Sequence, residues 1–99
     1  MSGQAAERLI IWNLRDDVSD QEYQRVVDLG LDVLAKIPGV TSVSFGIGTH
    51  DPRYRYYMRI RFRDFAPVAV FDSDATHIDY LRNSFAPILA GEVDFTYAI

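Results

Sequence analysis

Residues 53–63 read RYRYYMRIRFR: five arginines interleaved with tyrosines, a methionine, an isoleucine and a phenylalanine, and followed by Asp64. Cations beside aromatic rings suggest a strand that holds nucleic acid, with phosphates on the arginines and bases on the tyrosines. Strand periodicity gives a different reading. Side chains alternate between the two faces of a strand. Tyr56, Met58, Ile60 and Phe62 therefore share one face, and Tyr57, Arg59, Arg61 and Arg63 share the other. The first set is apolar and belongs beneath helices. The second belongs on a face that the helices leave open.

The charge balance supports this division. Acidic residues outnumber basic ones, 14 to 10, for a formal charge of −4. Phosphate contacts supply most of the affinity for a polyanion, so a chain of this sign is a poor general nucleic-acid binder. The 99 residues are enough for one domain with a single modest core, and aromatics make up 13% of them, so much of that core is ring surface. With no cysteine, disulfides and thiol chemistry are excluded. The leading MSGQAAE has no apolar signal-like run and no stretch reaches membrane-spanning length. The expectation is a cytoplasmic protein without a membrane partner: a flexible N-terminus, 1–6, followed by one domain, 7–99.

Outward from the arginine stretch, RLIIWNLR (Arg8 to Arg15) reads as a first strand ended by Asp16 and Asp17. Ser19 and Glu22 have capping-box spacing, with Val18 and Tyr23 placed as a hydrophobic staple. Tyr23, Val26, Val27, Gly30, Leu31 and Leu34 then follow helical spacing to the Ile37-Pro38-Gly39 stop. Val43, Phe45 and Ile47 alternate along a second strand, and the turn 48–52 leads into the third. Pro67 suits the first turn of a short helix, Ala66 to Phe71. Asp74 caps a last helix with Ile78, Leu81, Phe85, Ile88 and Leu89 on its apolar side and Gly91 at its end. Val93, Phe95 and Tyr97 alternate with Glu92, Asp94 and Thr96 in a final strand.

This order, β-α-β-β-α-β, is the α+β ferredoxin-like sandwich. One sheet face is covered by the helices. Leu9, Ile11 and Asn13, with Val93, Phe95 and Tyr97, join Tyr57, Arg59 and Arg61 on the other, and a second copy of the chain is its most economical cover. Arginines in such an interface need carboxylate partners; Asp64, Asp16 and Asp17 are the candidates.

Several segments together resemble the stress-responsive A/B barrel, or Dabb, family: RLIIWNLRDDVSDQE, the IPGV that closes the first helix, the hairpin after it, and DSDATHIDYLRNSFAPILAGEVDFTYAI at the end. The resemblance spans about residues 7–98. It implies a dimeric α/β barrel, two ferredoxin-like protomers packed through their open sheet faces, with a pocket between helices and sheet. A plant polyketide cyclase of the family uses a pocket histidine and tyrosine. On the family pattern His77 matches the catalytic histidine of a His-Pro-Ala-His-like segment, with Asp74 in place of its first histidine. Phe71 stands at the catalytic tyrosine, Arg8 at a strand-one histidine, and Thr96 at the aspartate of a Phe-Asp-Tyr-like ending. Of these polar positions His77 alone keeps its residue, which argues against the same cyclisation mechanism.

His77 also stands out by position. It lies in the first turn of the last helix, where the helix dipole disfavours imidazolium and leaves a ring able to accept a proton. The alternative for a lone histidine on a partly apolar face is a structural, hydrogen-bonded role. Strand alternation and helical spacing gather a candidate ligand set around it: Arg8, Ile10, Trp12, Tyr23, Phe62, Phe71, Leu81, Asp94 and Thr96. Gly30 leaves local room on the first helix, and Arg8 and Asp94 are positioned to pair across neighbouring strands. His50 reads as a loop residue. His50 and His77 lack metal-ligand spacing, and no phosphate loop or nucleophile elbow occurs, so no metal and no cofactor are expected. The functional expectation is a barrel that binds a small, largely apolar or aromatic molecule, with His77 as the acid–base group of cyclase- or lyase-like chemistry. The other reading is a non-catalytic interaction protein acting through its dimer surface.

Overall fold

The computed structural model describes residues 4–48 and 54–99. The elements run β1 (Ala6–Leu14), α1 (Asp20–Val33), β2 (Val40–Ile47), β3 (Tyr56–Phe62), α2 (Ala66–Ser73), α3 (Ala75–Tyr80) and β4 (Leu89–Ala98). The expected turn 48–52, with His50, lies largely outside the described residues, as does the start of the expected flexible N-terminus; Ala6 already belongs to β1.

The strands form one antiparallel sheet in the order β2-β3-β1-β4, so the chain has the ferredoxin-like βαββαβ plan. Helix α1 begins where the capping box places it: Ser19 Oγ accepts the Glu22 amide at 3.1 Å. A 3-10 turn, Leu34–Lys36, extends it to the Pro38-Gly39 stop, where Gly39 adopts φ 90°. A side chain there would be strained and would run into Pro67.

The alternation in β3 divides as its sequence predicts. Met58, Ile60 and Phe62 are fully buried beneath the helices, whereas Arg59 and Arg61 are exposed on the opposite face. Trp12 anchors the core, its ring edge-on to Phe85 at 4.9 Å and stacked at 6.2 Å on Tyr56.

The last helix departs from its expected course. It is α-helical only from Ala75 to Tyr80, then loosens into a π turn, Leu81–Phe85, and a 3-10 turn, Ala86–Ile88. Pro87 supplies no amide for an α ladder and ends it, so β4 starts at Leu89 and Gly91 lies inside the strand. The π turn sets Phe85 into the core, and Ile78, expected on the buried side, is 39% exposed.

On the open face, register aligns three rows: Ser42, Arg61, Glu7 and Tyr97; Ser44, Arg59, Leu9 and Phe95; Gly46, Tyr57, Ile11 and Val93. The arginines find a partner other than the expected aspartates. Glu7, only 3% exposed, accepts from Arg61 Nε at 2.9 Å and from the Tyr97 hydroxyl, with Arg59 Nε at 4.0 Å. Asp17 pairs with Arg15, and Asp64 accepts the Ala66 amide to start α2. These aspartates sit in loops, whereas Glu7 stands directly opposite Arg61 in the β1–β3 ladder. No helix among the described residues is long and apolar enough to cross a membrane.

Candidate functional site

The helix-facing side of the sheet changes character from one edge to the other. Along β3 it is wholly apolar; along β1 it runs Arg8, Ile10, Trp12; along β4 it is Thr96, Asp94 and Glu92. Helices cover the first two strands. They leave the polar inner side of β4 exposed, and a cleft of about 550 Å³ opens between β4 and the α2–α3 segment. Ile10, Leu81, Phe85 and Leu89 are among its apolar lining; Arg8, Asp72, His77, Arg82, Glu92 and Asp94 supply its polar groups.

Asp74 builds the helix junction that presents His77. Its backbone is extended (φ −69°, ψ 130°), which ends α2, and its carboxylate accepts the Thr76 and His77 amides at 2.8 and 3.3 Å to start α3. This sharp turn brings the end of α2 beside the start of α3. His77, only 6% exposed, therefore lies against Phe71 with ring centroids 3.9 Å apart. Its Nδ1 is 3.0 Å from the Phe71 carbonyl oxygen. A carbonyl oxygen accepts only, so Nδ1 carries the proton, and the neutral ring has its lone pair on Nε2. Nε2 has no hydrogen-bond partner among the described residues. Burial lowers the His77 pKa below the ordinary imidazole value, against the opposing pull of the Phe71 carbonyl and of Asp72. A neutral, oriented imidazole beside an apolar cleft is chemically able to accept a proton.

Arg8 is held by groups of its own. It makes a two-pronged ion pair with Asp72, Nη2 to Oδ2 at 3.0 Å and Nη1 to Oδ1, and its Nε donates to Thr96 Oγ1 at 3.0 Å. The guanidinium lies 5.9 Å from the Phe71 ring centroid. The bond to Asp72 raises the Arg8 pKa and holds the Asp72 carboxyl below its usual range. Arg8 thus pairs with Asp72, and Asp94 stands one register step away, opposite Ile10. Burial raises the Glu92 pKa, with the nearby Asp94 charge adding to the shift.

Of the residues expected around a ligand, the cleft gathers Arg8, Ile10, His77, Leu81 and Asp94. Thr96 reaches it only as the acceptor for Arg8. Trp12, Phe62 and Phe71 are fully buried in the packed core. Tyr23 packs against Tyr56 at 5.1 Å, away from the cleft. These four do not line it, because aromatic surface is used to fill the space under α1 and α2. The room expected at Gly30 is taken by Tyr80 and Phe45. Glu92, on the pocket side of β4 by strand alternation, is in the lining, as are Asp72 and Phe85, which the sequence does not single out as ligands. An arginine on β1 facing the helices calls for a carboxylate at a helix end, and Asp72 near the end of α2 supplies it. Among the described residues no three His, Cys, Asp or Glu side chains gather as a metal site.

The sequence matches no family model and no curated protein. Solved structures do match. A Dabb family protein with a ferredoxin-like fold from Mesorhizobium loti superposes with a TM-score of 0.83 at 17% identity, covering 97% of each chain. The chain has the ferredoxin-like fold of that Dabb protein. A dimeric ferredoxin-like protein from Thermobifida fusca gives 0.85 at 19% identity, over 98% of this chain and 92% of its own. The hydroxynitrile lyase from Passiflora edulis gives 0.85 at 12% identity, over 97% and 94%. At these identities the likeness establishes the fold.

Proposed function

We propose that this Dabb-like chain is a homodimer, joined through its open sheet faces, in which each protomer binds a small, largely apolar molecule beside His77 and moves a proton on it. The observation that carries this reading is the His77 ring, tied at Nδ1 to the Phe71 carbonyl with Nε2 unpartnered among the described residues, at the wall of a mostly apolar cleft of about 550 Å³. Asp72 and Arg8, locked on each other, fix the wall next to it. A lyase on the same fold is compatible with such chemistry. Phe71, where the plant cyclase has its tyrosine, offers no hydroxyl, so His77 acts without a phenolic partner at that position.

Dimerisation is supported by Leu9, Ile11, Val93 and a half-exposed Phe95 on the open face, and by the dimeric Thermobifida relative. Arg59 and Arg61, both directed at Glu7, belong to that face as partners of a carboxylate and not as phosphate clamps. The same apolar patch supports the second reading, a non-catalytic protein whose dimer surface is its function.

The test is proton transfer on a panel of small carbonyl compounds in deuterated water, followed by NMR. Exchange of acidic C–H protons that depends on the protein and disappears in His77→Ala supports the reading. Exchange that persists unchanged in a folded His77→Ala variant refutes the role of His77. Absence of any amide shift at His77, Leu81 or Phe85 across the panel refutes the cleft.

A further inference from the structure

We infer that the cleft selects small organic cations, molecules with an ammonium group on an apolar body, which Glu92 and Asp94 hold against the inner side of β4. This rests on the reading of the cleft as a ligand site and names its substrate class.

Charge inside the cleft has an internal balance. Arg8 and Asp72 neutralise each other through a two-pronged pair, and Thr96 takes the remaining Nε–H of Arg8. What is left on the β4 wall is Glu92 and Asp94, two residues apart and on the same strand face. Neither has an ion-pair partner within 4.0 Å among the described residues. The remaining cation of the lining, Arg82, is exposed on the α3 side. Two like charges facing one cleft repel each other, and the Glu92 pKa is raised by burial first and by the nearby Asp94 charge second. A cation seated between them relieves it.

The opposite wall points to a ligand independently. His77 lines the cleft, is more than nine-tenths buried, and has its Nδ1 fixed to the protein, so Nε2 is the ring nitrogen left to accept a hydrogen bond. Between the two walls, Ile10, Leu81, Phe85 and Leu89 offer apolar surface. A ligand that satisfies all three is an amine: the ammonium at the carboxylates, the hydrocarbon on the floor, and an acidic proton within reach of Nε2. A carboxylate or phosphate ligand would meet net negative charge instead.

The experiment compares three probes of one shape, phenethylammonium, 2-phenylethanol and phenylacetate, by amide chemical-shift titration of the full chain at neutral pH. The expected order is ammonium tighter than alcohol by roughly tenfold, the size of partly exposed charge–charge contacts, with phenylacetate weakest. In Glu92→Gln/Asp94→Asn the preference for the cation should vanish while the alcohol still binds. Equal binding of ammonium and alcohol, or a preference that survives the double substitution, overturns the cation selectivity and leaves the cleft itself standing. Failure of all three probes to shift cleft amides overturns both.

Discussion

Gly30→Ala is a sharp test of how α3, and with it His77, is placed. A Cβ built at Gly30 would lie 2.5 Å from Tyr80 Oη and 2.9 Å from both Tyr80 Cζ and Phe45 Cζ. Tyr80 has little freedom to retreat. Its ring is 2% exposed, and its hydroxyl donates to the Val26 carbonyl at 2.8 Å, one turn earlier on the same α1 helix. On an open helix face the substitution would help, because alanine is favoured over glycine by about 1 kcal/mol. Here overpacking costs about 1–3 kcal/mol, and displacing the Tyr80 hydroxyl from its buried acceptor adds about 1–3 kcal/mol. The net expectation is a loss of about 3 kcal/mol, which for a domain of this size is a fall in Tm of roughly 15 °C. Thermal unfolding by circular dichroism at fixed protein concentration measures it. In a Tyr80→Phe background, where the 2.5 Å clash and the hydrogen bond are both gone, the same Gly30→Ala change should cost less, so the double-mutant cycle is non-additive. A Gly30→Ala protein as stable as the parent would refute the close approach of α1 to α3.

Other consequences follow from the charged clusters and the open face. Asp72 pulls the His77 pKa upward, so Asp72→Asn should lower it further in an NMR titration, and a rise would contradict the geometry. His77 is depressed in the folded state, so the unfolded chain takes up its proton first: stability should fall as pH drops below about 6.5, and folded His77→Gln should flatten that part of the urea-denaturation profile. Glu7 is also depressed, by Tyr97 and Arg61 against its burial. Its contribution is therefore present above the ordinary carboxylate value and lost as pH falls through the folded one, a loss that Glu7→Gln should remove. Phe95→Asp should weaken the proposed dimer by roughly 100-fold, since the residue enters a two-fold interface twice; an unchanged mass by light scattering at micromolar concentration would exclude this face.

The alternation of residues 56–62 was readable in advance because a half-covered sheet imposes a strict two-residue period. The arginine partner was not. Glu7 is more than fifty positions from Arg61 in sequence, and only the antiparallel register places them side by side. His77 could be singled out from its spacing to the Asp74 cap, but its tautomer depends on the Phe71 carbonyl, which a helix break brings to it. The aromatic residues expected around a ligand illustrate the remaining gap. Periodicity shows that Trp12 and Phe62 face the helices, yet whether they line a cleft or fill a core depends on where the helices stop covering the sheet. Pro87 was the available signal for that stop. It ends the last helix early and lets β4 begin at Leu89, with its polar inner side uncovered.

The measurement closest to the central claim is a long-range 1H–15N correlation spectrum of the His77 ring across pH. The structure places the proton on Nδ1 and lowers the ring's pKa below the ordinary value of about 6.5, and the proposed ligand cleft predicts an Nε2 resonance that moves when one of the three probes is added. A proton on Nε2, a ring that titrates above that value, or an Nε2 signal indifferent to phenethylammonium, 2-phenylethanol and phenylacetate alike would contradict a ligand cleft with His77 as its base.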